Sequence, residues 1–227
     1  MVQAGKPIYF IGNWKSNKTL KEAEDFISGL SLPELTEDIH VVICPPFPYL
    51  WNLNSTKVEL GAQDISPFPF GAYTGAVTAA MISSVCKYVI VGHSERRKYF
   101  KETNQDVAQK ARIVLDEGMV PVLCIDEPYL ESQLAFFNSD ELSKMIVAYE
   151  PLAAIGSGVA DTPAHASQIA NKIKQMAIAD VPVLYGGSVT QSSASDYIHQ
   201  DELAGVLVGG ASLNLKTWIA LIKASIQ

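Results

Sequence analysis

Eight short runs rich in β-branched residues recur along the chain, and this repetition constrains the fold more than any other feature. They cover residues 8–11, 41–44, 58–62, 89–91, 120–125, 145–149, 183–185 and 206–208. None alternates strictly between apolar and polar, so each reads as a strand covered on both faces, as in an all-parallel sheet. The segments between them supply the cover. Thr19 with Glu22 is a capping-box signature, and Leu20, Ala23, Phe26, Ile27 and Leu30 follow at helical spacing. Val107, Ala111, Val114 and Leu115 repeat the pattern before Gly118 stops it. Ala166, Ile169, Ala170, Ile173 and Ala177 repeat it after Thr162 and Pro163. Weaker helical patterns occupy 47–53, 79–85, 129–140, 193–199 and 213–226.

Strand and helix alternate throughout with no polar linker or break in composition. That order favours one closed (βα)8 barrel over residues 1–227 above an open, doubly wound sheet. At 227 residues the chain is under the ~250 typical of that barrel, so a connection must be trimmed. The weak patch between Asp126 and Lys144 is the place expected. An apolar fraction of 48% provides a large core and excludes intrinsic disorder. No apolar run approaches the ~18 residues of a membrane span, and residues 1–15 lack the pattern of an export signal. Seventeen basic against 24 acidic residues, a net charge of −7, argues against nucleic acid as a partner. Arg96, Arg97 and Lys98 form the single dense basic cluster. Cys44, Cys86 and Cys124 lie in or beside apolar runs without a C-x-x-C pair, which fits buried, reduced thiols in a cytoplasmic protein.

A barrel of this kind carries its chemistry at the C-terminal ends of the strands. Asn13 and Lys15 follow the first run, His93, Ser94 and Glu95 the fourth, and Glu150 the sixth. Gly186 to Ser188 follow the seventh, and Gly209 and Gly210 the eighth. Singly each has a plain reading: a solvated loop lysine, a histidine capping a helix, a glutamate ending a strand. The glycines could be simple turns. Next to serine, directly after the last two strands, they also match the place where barrels hold phosphate on backbone N–H groups.

With these residues the chain resembles the triosephosphate isomerases nearly end to end. The resemblance is carried by Gly-Asn-Trp-Lys (12–15), Gly-Ala-Tyr-Thr-Gly (71–75), Gly-His-Ser-Glu-Arg-Arg (92–97), Leu-Cys-Ile (123–125), Ala-Tyr-Glu-Pro (148–151), Ala-Ile-Gly-Ser-Gly (154–158), Tyr-Gly-Gly-Ser-Val (185–189) and Leu-Val-Gly-Gly-Ala-Ser-Leu (207–213). It implies a homodimer that interconverts dihydroxyacetone phosphate and glyceraldehyde 3-phosphate, a step of glycolysis and gluconeogenesis, through an enediol or enediolate and without metal or organic cofactor. Glu150 would be the base, since taking a proton from carbon needs a carboxylate held close and dry. His93, as a neutral imidazole beside the start of a helix, and Lys15 would donate to the oxygen that gains charge. Asn13 would line the same pocket, and Glu95 and Ser94 would stand behind these groups, Glu95 placing the lysine. Gly156, Ser188, Gly209 and Gly210 would grip phosphate by backbone N–H groups. Pro151, Ala153, Ser157 and Gly158 belong to the segment that resembles the family's closing lid, and Thr74 and Gly75 to its dimer loop.

Three departures stand out. Ala153 replaces a tryptophan at the entry to the lid, and Ala76 replaces the glutamate that usually meets, across the dimer, an arginine matching Arg96. The stretch from Asp126 to Lys144 is short, with Asp126 where glycine is usual. A weaker dimer and a cut-down outer helix are expected. A different phosphate-binding barrel enzyme would use other acid and base groups, and a non-catalytic barrel would be expected to have lost Lys15, His93 or Glu150. All three are present.

Overall fold

A computed structural model describes residues 5–53, 57–152 and 160–226. Eight parallel strands close into a barrel in chain order: β1 (Ile8–Asn13), β2 (Ile39–Cys44), β3 (Glu59–Ala62), β4 (Tyr88–Val91), β5 (Val120–Ile125), β6 (Ile146–Tyr149), β7 (Val183–Tyr185) and β8 (Gly205–Val208). Each matches one of the eight apolar runs. Closure is made by β8 on β1, with Tyr9 opposite Gly205 and Gly12 opposite Val208. Gly205 has φ +136°, and a Cβ there would lie 2.0 Å from the Tyr9 carbonyl oxygen, so only glycine lets the two backbones meet.

The lack of alternation has its cause in the two cores. Ile11, Val42, Cys44, Ile90, Val122, Cys124, Ala148, Leu184 and Leu207 fill the barrel interior. Their strand neighbours, among them Phe10, Ile43, Val89, Leu123, Val147 and Val206, pack outward beneath the helices. Both faces are therefore apolar.

The helices are α1 (Leu20–Gly29), α2 (Ala79–Ile82), α3 (Ser94–Phe100), α4 (Asn104–Asp116), α5 (Leu130–Leu134), α6 (Ser139–Ser143), α7 (Pro163–Ala177), α8 (Ala194–Ile198) and α9 (Leu215–Ile226), with 3-10 turns at 47–52, 127–129 and 210–212. Thr19 and Glu22 form the expected capping box on α1, Thr103 with Asp106 makes another on α4, and Thr162 caps α7 with Pro163 in its first turn. The pattern read over 129–140 is not one helix. Asn138 opens a new helix by a capping box with Glu141, and a residue in that extended capping conformation cannot continue a helix from α5. The outer layer here is cut into two single-turn pieces. The pattern over 79–85 likewise shrinks to 79–82, because the chain turns at Ser83 and Ser84. No described helix is long and apolar enough to cross a membrane.

Candidate active site

The C-terminal strand ends surround a cavity of about 340 Å³ lined by Asn13, Lys15, His93, Glu150, Gly186, Gly187, Ser188, Gly209 and Gly210 among others. A larger hollow of about 710 Å³ lies on the outer wall between the 67–70 loop and α4. Its lining includes Arg112 and Glu117 but none of the strand-end residues named above.

Glu150 follows the last residue of β6 and is 1% exposed. Its Oε2 accepts the Ser94 N–H at 3.0 Å, and its Oε1 lies 3.3 Å from His93 Nε2. Space for it exists because position 186 has no side chain: a Cβ on Gly186 would sit 2.9 Å from Glu150 Cγ. His93 caps α3, and its Nδ1 accepts the Glu95 N–H at 3.2 Å. A ring nitrogen that accepts carries no proton, so the proton of the neutral imidazole is on Nε2, facing Glu150 and the cavity.

Lys15 has left-handed backbone, φ +52°. Its N–H donates to Asn13 Oδ1 at 3.1 Å, and its ammonium meets Glu95 Oε1 at 2.6 Å. Gln63, directly after β3, donates to the carbonyls of both Lys15 and Cys44 at 2.9 Å. It lies outside the residues singled out above, although its position just past a strand end is the same signal that found Asn13 and Glu150. Gly209 lies beneath the lysine stem, a Cβ there falling 3.6 Å from Lys15 Cε.

Asn13, Lys15, His93, Glu150, Ser188, Gly209 and Gly210 thus meet at one mouth, with Ser94 and Glu95 immediately behind. Pro151 is buried beside Glu150. Gly156, Ala153, Ser157 and Gly158 lie outside the described residues. Thr74 and Gly75 do not line the strand-end cavity but lie exposed on the loop after β3, where they border a hollow of about 420 Å³ with Tyr73 and Arg96.

Two of the sequence departures have structural counterparts. Asp126 accepts the N–H groups of Glu127 at 2.8 Å and Leu152 at 3.3 Å, tying the end of β5 to the segment that follows Glu150. Burial first, against those two N–H bonds, raises its carboxyl pKa. Arg96 finds its carboxylates within its own chain, Asp64 at 2.9 Å and Glu102 at 2.5 Å, and buried Lys110 joins both acids. Arg97 bonds the Gly92 carbonyl, Asn104 and Gln133. Arg96 and Arg97 are therefore engaged inward, whereas Lys98 is exposed, its ammonium 5.1 Å from the centre of the Tyr99 ring.

A carboxylate, an Nε2-protonated imidazole and an ammonium around one small cavity suit proton transfer beside a carbonyl. Set in this barrel, they define an aldose–ketose isomerase of the sugar-phosphate class. Residues 8–225 match the family model described as triosephosphate isomerase. Curated relatives named triosephosphate isomerase include those of Mycoplasmopsis pulmonis, 39% identical over 96% of this chain and 97% of the relative, and of Dehalococcoides mccartyi, 37% identical over 96% of each. Another, from Mesomycoplasma hyorhinis, is 37% identical over 93% of this chain and 96% of the relative. The chain belongs to the triosephosphate isomerase family.

Proposed function

We propose that this isomerase interconverts dihydroxyacetone phosphate and D-glyceraldehyde 3-phosphate, with Glu150 as the base, His93 and Lys15 as donors, and the glycine-rich ends of β7 and β8 as the phosphate cradle. The observation that carries the reading is the convergence of Glu150, His93 and Lys15 on one cavity with Ser188, Gly209 and Gly210.

In the arrangement described, the carboxylate rests on Ser94 N–H and faces His93 Nε2. Substrate places its carbonyl oxygen against Nε2–H and the ammonium, and Glu150 turns from Ser94 toward the carbon. It takes a proton from one carbon of the three-carbon ester while the oxygen gains charge, and returns a proton to the neighbouring carbon. Donors aimed at that oxygen are worth about 3 kcal/mol each. Lys15 also faces the phosphate, whose remaining oxygens meet backbone N–H groups at Ser188, Gly209 and Gly210, with Gly156 completing the grip. Binding energy from this unreactive end closes the site and keeps water from the intermediate.

The enzyme acts as a homodimer in the cytoplasm. Exposed Phe68, Phe70, Tyr73, Tyr99 and Phe100 beside the Thr74–Gly75 loop support burial against a second copy, and three buried, unpaired cysteines support a reducing compartment.

Glu150→Asp withdraws the base by one methylene. Its kcat in a coupled assay with glyceraldehyde 3-phosphate should fall about a hundredfold with little change in inhibition by inorganic phosphate. Near wild-type turnover would remove Glu150 from the role.

A further inference from the structure

The strand that carries the base ends on side chains that the proton transfers do not use. Tyr149, the residue before Glu150, places its hydroxyl 3.1 Å from Glu127 Oε1 and 3.1 Å from Asp161 Oδ2. A phenol has one proton to donate, so at any moment Tyr149 serves only one of these two like-charged acids. His165 supplies what is missing. Its Nδ1 lies 2.7 Å from the same Asp161 oxygen and its Nε2 3.8 Å from the same Glu127 oxygen. Nδ1 is within hydrogen-bond reach of Asp161, and only the imidazolium, with both ring nitrogens protonated, adds an ion pair with Glu127 across the longer gap.

Asp161 is fixed on its remaining sides. Its N–H donates to the Tyr185 hydroxyl at 2.9 Å, its carbonyl accepts from the Tyr197 hydroxyl, and its Oδ1 accepts the Thr162 N–H at 2.7 Å. The titratable groups facing His165 are thus Asp161 before α7, Glu127 from the 127–129 turn and Tyr149 from β6, with Tyr185 and Tyr197 behind Asp161. The charged pair further along α7, Lys172 with Glu131 at 3.4 Å, closes on itself.

We propose that Asp161 and His165 are positioning residues for Glu150: while His165 is charged they hold Tyr149, and through it the base, and when His165 loses its proton the hold loosens and turnover falls. The inference rests on Glu150 being the base. The Asp161 hydrogen bond first, opposed by burial and helped by the charges of Asp161 and Glu127, raises the His165 pKa above its ordinary value. The charged arrangement is therefore complete at acid pH and is lost as pH rises through that raised value.

The test compares pH profiles of kcat and KM for wild type, His165→Gln, His165→Lys, Asp161→Asn and Glu150→Asp from about pH 6 to about pH 9, with His165 titrated by NMR in wild type and Asp161→Asn and folding checked by thermal melts. Wild-type kcat should decline on the alkaline side along the His165 titration. His165→Gln should lose about fivefold in kcat at the acid end, with KM changed less than about twofold, and lack that limb. His165→Lys, a cation across the range, should recover most of the loss with a flat profile, and Asp161→Asn should lower the His165 titration midpoint. A merely structural histidine would change the melts and leave the profile's shape alone. If the His165→Gln profile superimposes on wild type while Glu150→Asp is crippled, the positioning role falls and the base assignment stands; full turnover by Glu150→Asp would fell the base assignment and the inference with it. Should the glutamine variant not fold, a His165 midpoint unmoved by Asp161→Asn, or a lysine variant that keeps the alkaline limb, overturns the proposal.

Discussion

Lys15 holds left-handed backbone, which costs a non-glycine residue of order 1 kcal/mol. The strain persists because Asn13 accepts its N–H and Gln63 donates to its carbonyl. Gln63→Leu should therefore lower unfolding free energy by about 1–3 kcal/mol, since the Lys15 carbonyl loses its donor and the Cys44 carbonyl keeps only the Trp14 N–H. The same change should raise KM more than it lowers kcat, because the ammonium loses its placement toward the phosphate proposed to bind there. Urea melts and steady-state kinetics check both. Strand-end polar residues at 13, 15, 93 and 150 were legible in the sequence because a barrel points them all to one mouth. Gln63, just past β3, carried the same positional signal, but its bonds to the Lys15 and Cys44 carbonyls are displayed by no sequence pattern. Asp161 and His165 were hidden for a related reason: their partners, Glu127, Tyr149, Tyr185 and Tyr197, come from four separate parts of the chain.

Elements join by polar contacts at the opposite, N-terminal end of the barrel as well. Glu59 at the start of β3 binds His40 of β2 at 3.0 Å, Lys87 just before β4 at 2.6 Å and the Tyr88 hydroxyl at 3.2 Å. Burial pushes its carboxyl up, but the hydrogen bonds and charges of His40 and Lys87 outweigh this and set it at about 2. A folded value below the unfolded one means stability present above the ordinary carboxylate range and lost as pH falls toward 2. The stability gap between wild type and Glu59→Gln should accordingly be full near neutrality and shrink on acidification through that window, as read by urea melts at stepped pH. Long helices were readable where apolar period and cap agreed, as in α1, α4 and α7. The segment after β5 was not, because its apolar residues fit one helix while the Asn138–Glu141 cap enforces two. Asn138→Ala should cost about 1 kcal/mol in a thermal or urea melt.

For the molecule as a whole, closure depends on the approach of β8 to β1. Gly205→Ala would drive a methyl group into the Tyr9 carbonyl, with an expected loss of more than about 4 kcal/mol, seen as collapse of the thermal transition or failure to accumulate folded protein. Closure itself was legible only as the better of two arrangements, since eight β-α units suit an open sheet too until the β8–β1 pairing is known. Association is a separate matter. Arg96 is neutralised within its own chain by Asp64 and Glu102, and burial first, despite Lys110, raises the Asp64 carboxyl to about 6. With Ala76 on the loop, a second copy brings no carboxylate to that arginine from this position. The proposed dimer should then dissociate measurably at nanomolar protein, with an affinity that changes little between low and high salt. Sedimentation equilibrium showing an intact dimer throughout, or steep salt dependence, would contradict this.

A ring of strands also leaves no open rim of unpaired amides on which a neighbour could stack, so cross-β polymerisation must wait for a breach. The pairing offers one obvious weak seam: β7 and β8 share a single registered pair, Tyr185 with Val206, whereas β1 and β2 share six. Fibril growth under destabilising conditions should begin with strands exposed at that gap, and hydrogen exchange should find β7 and β8 unzipping before β1 and β2.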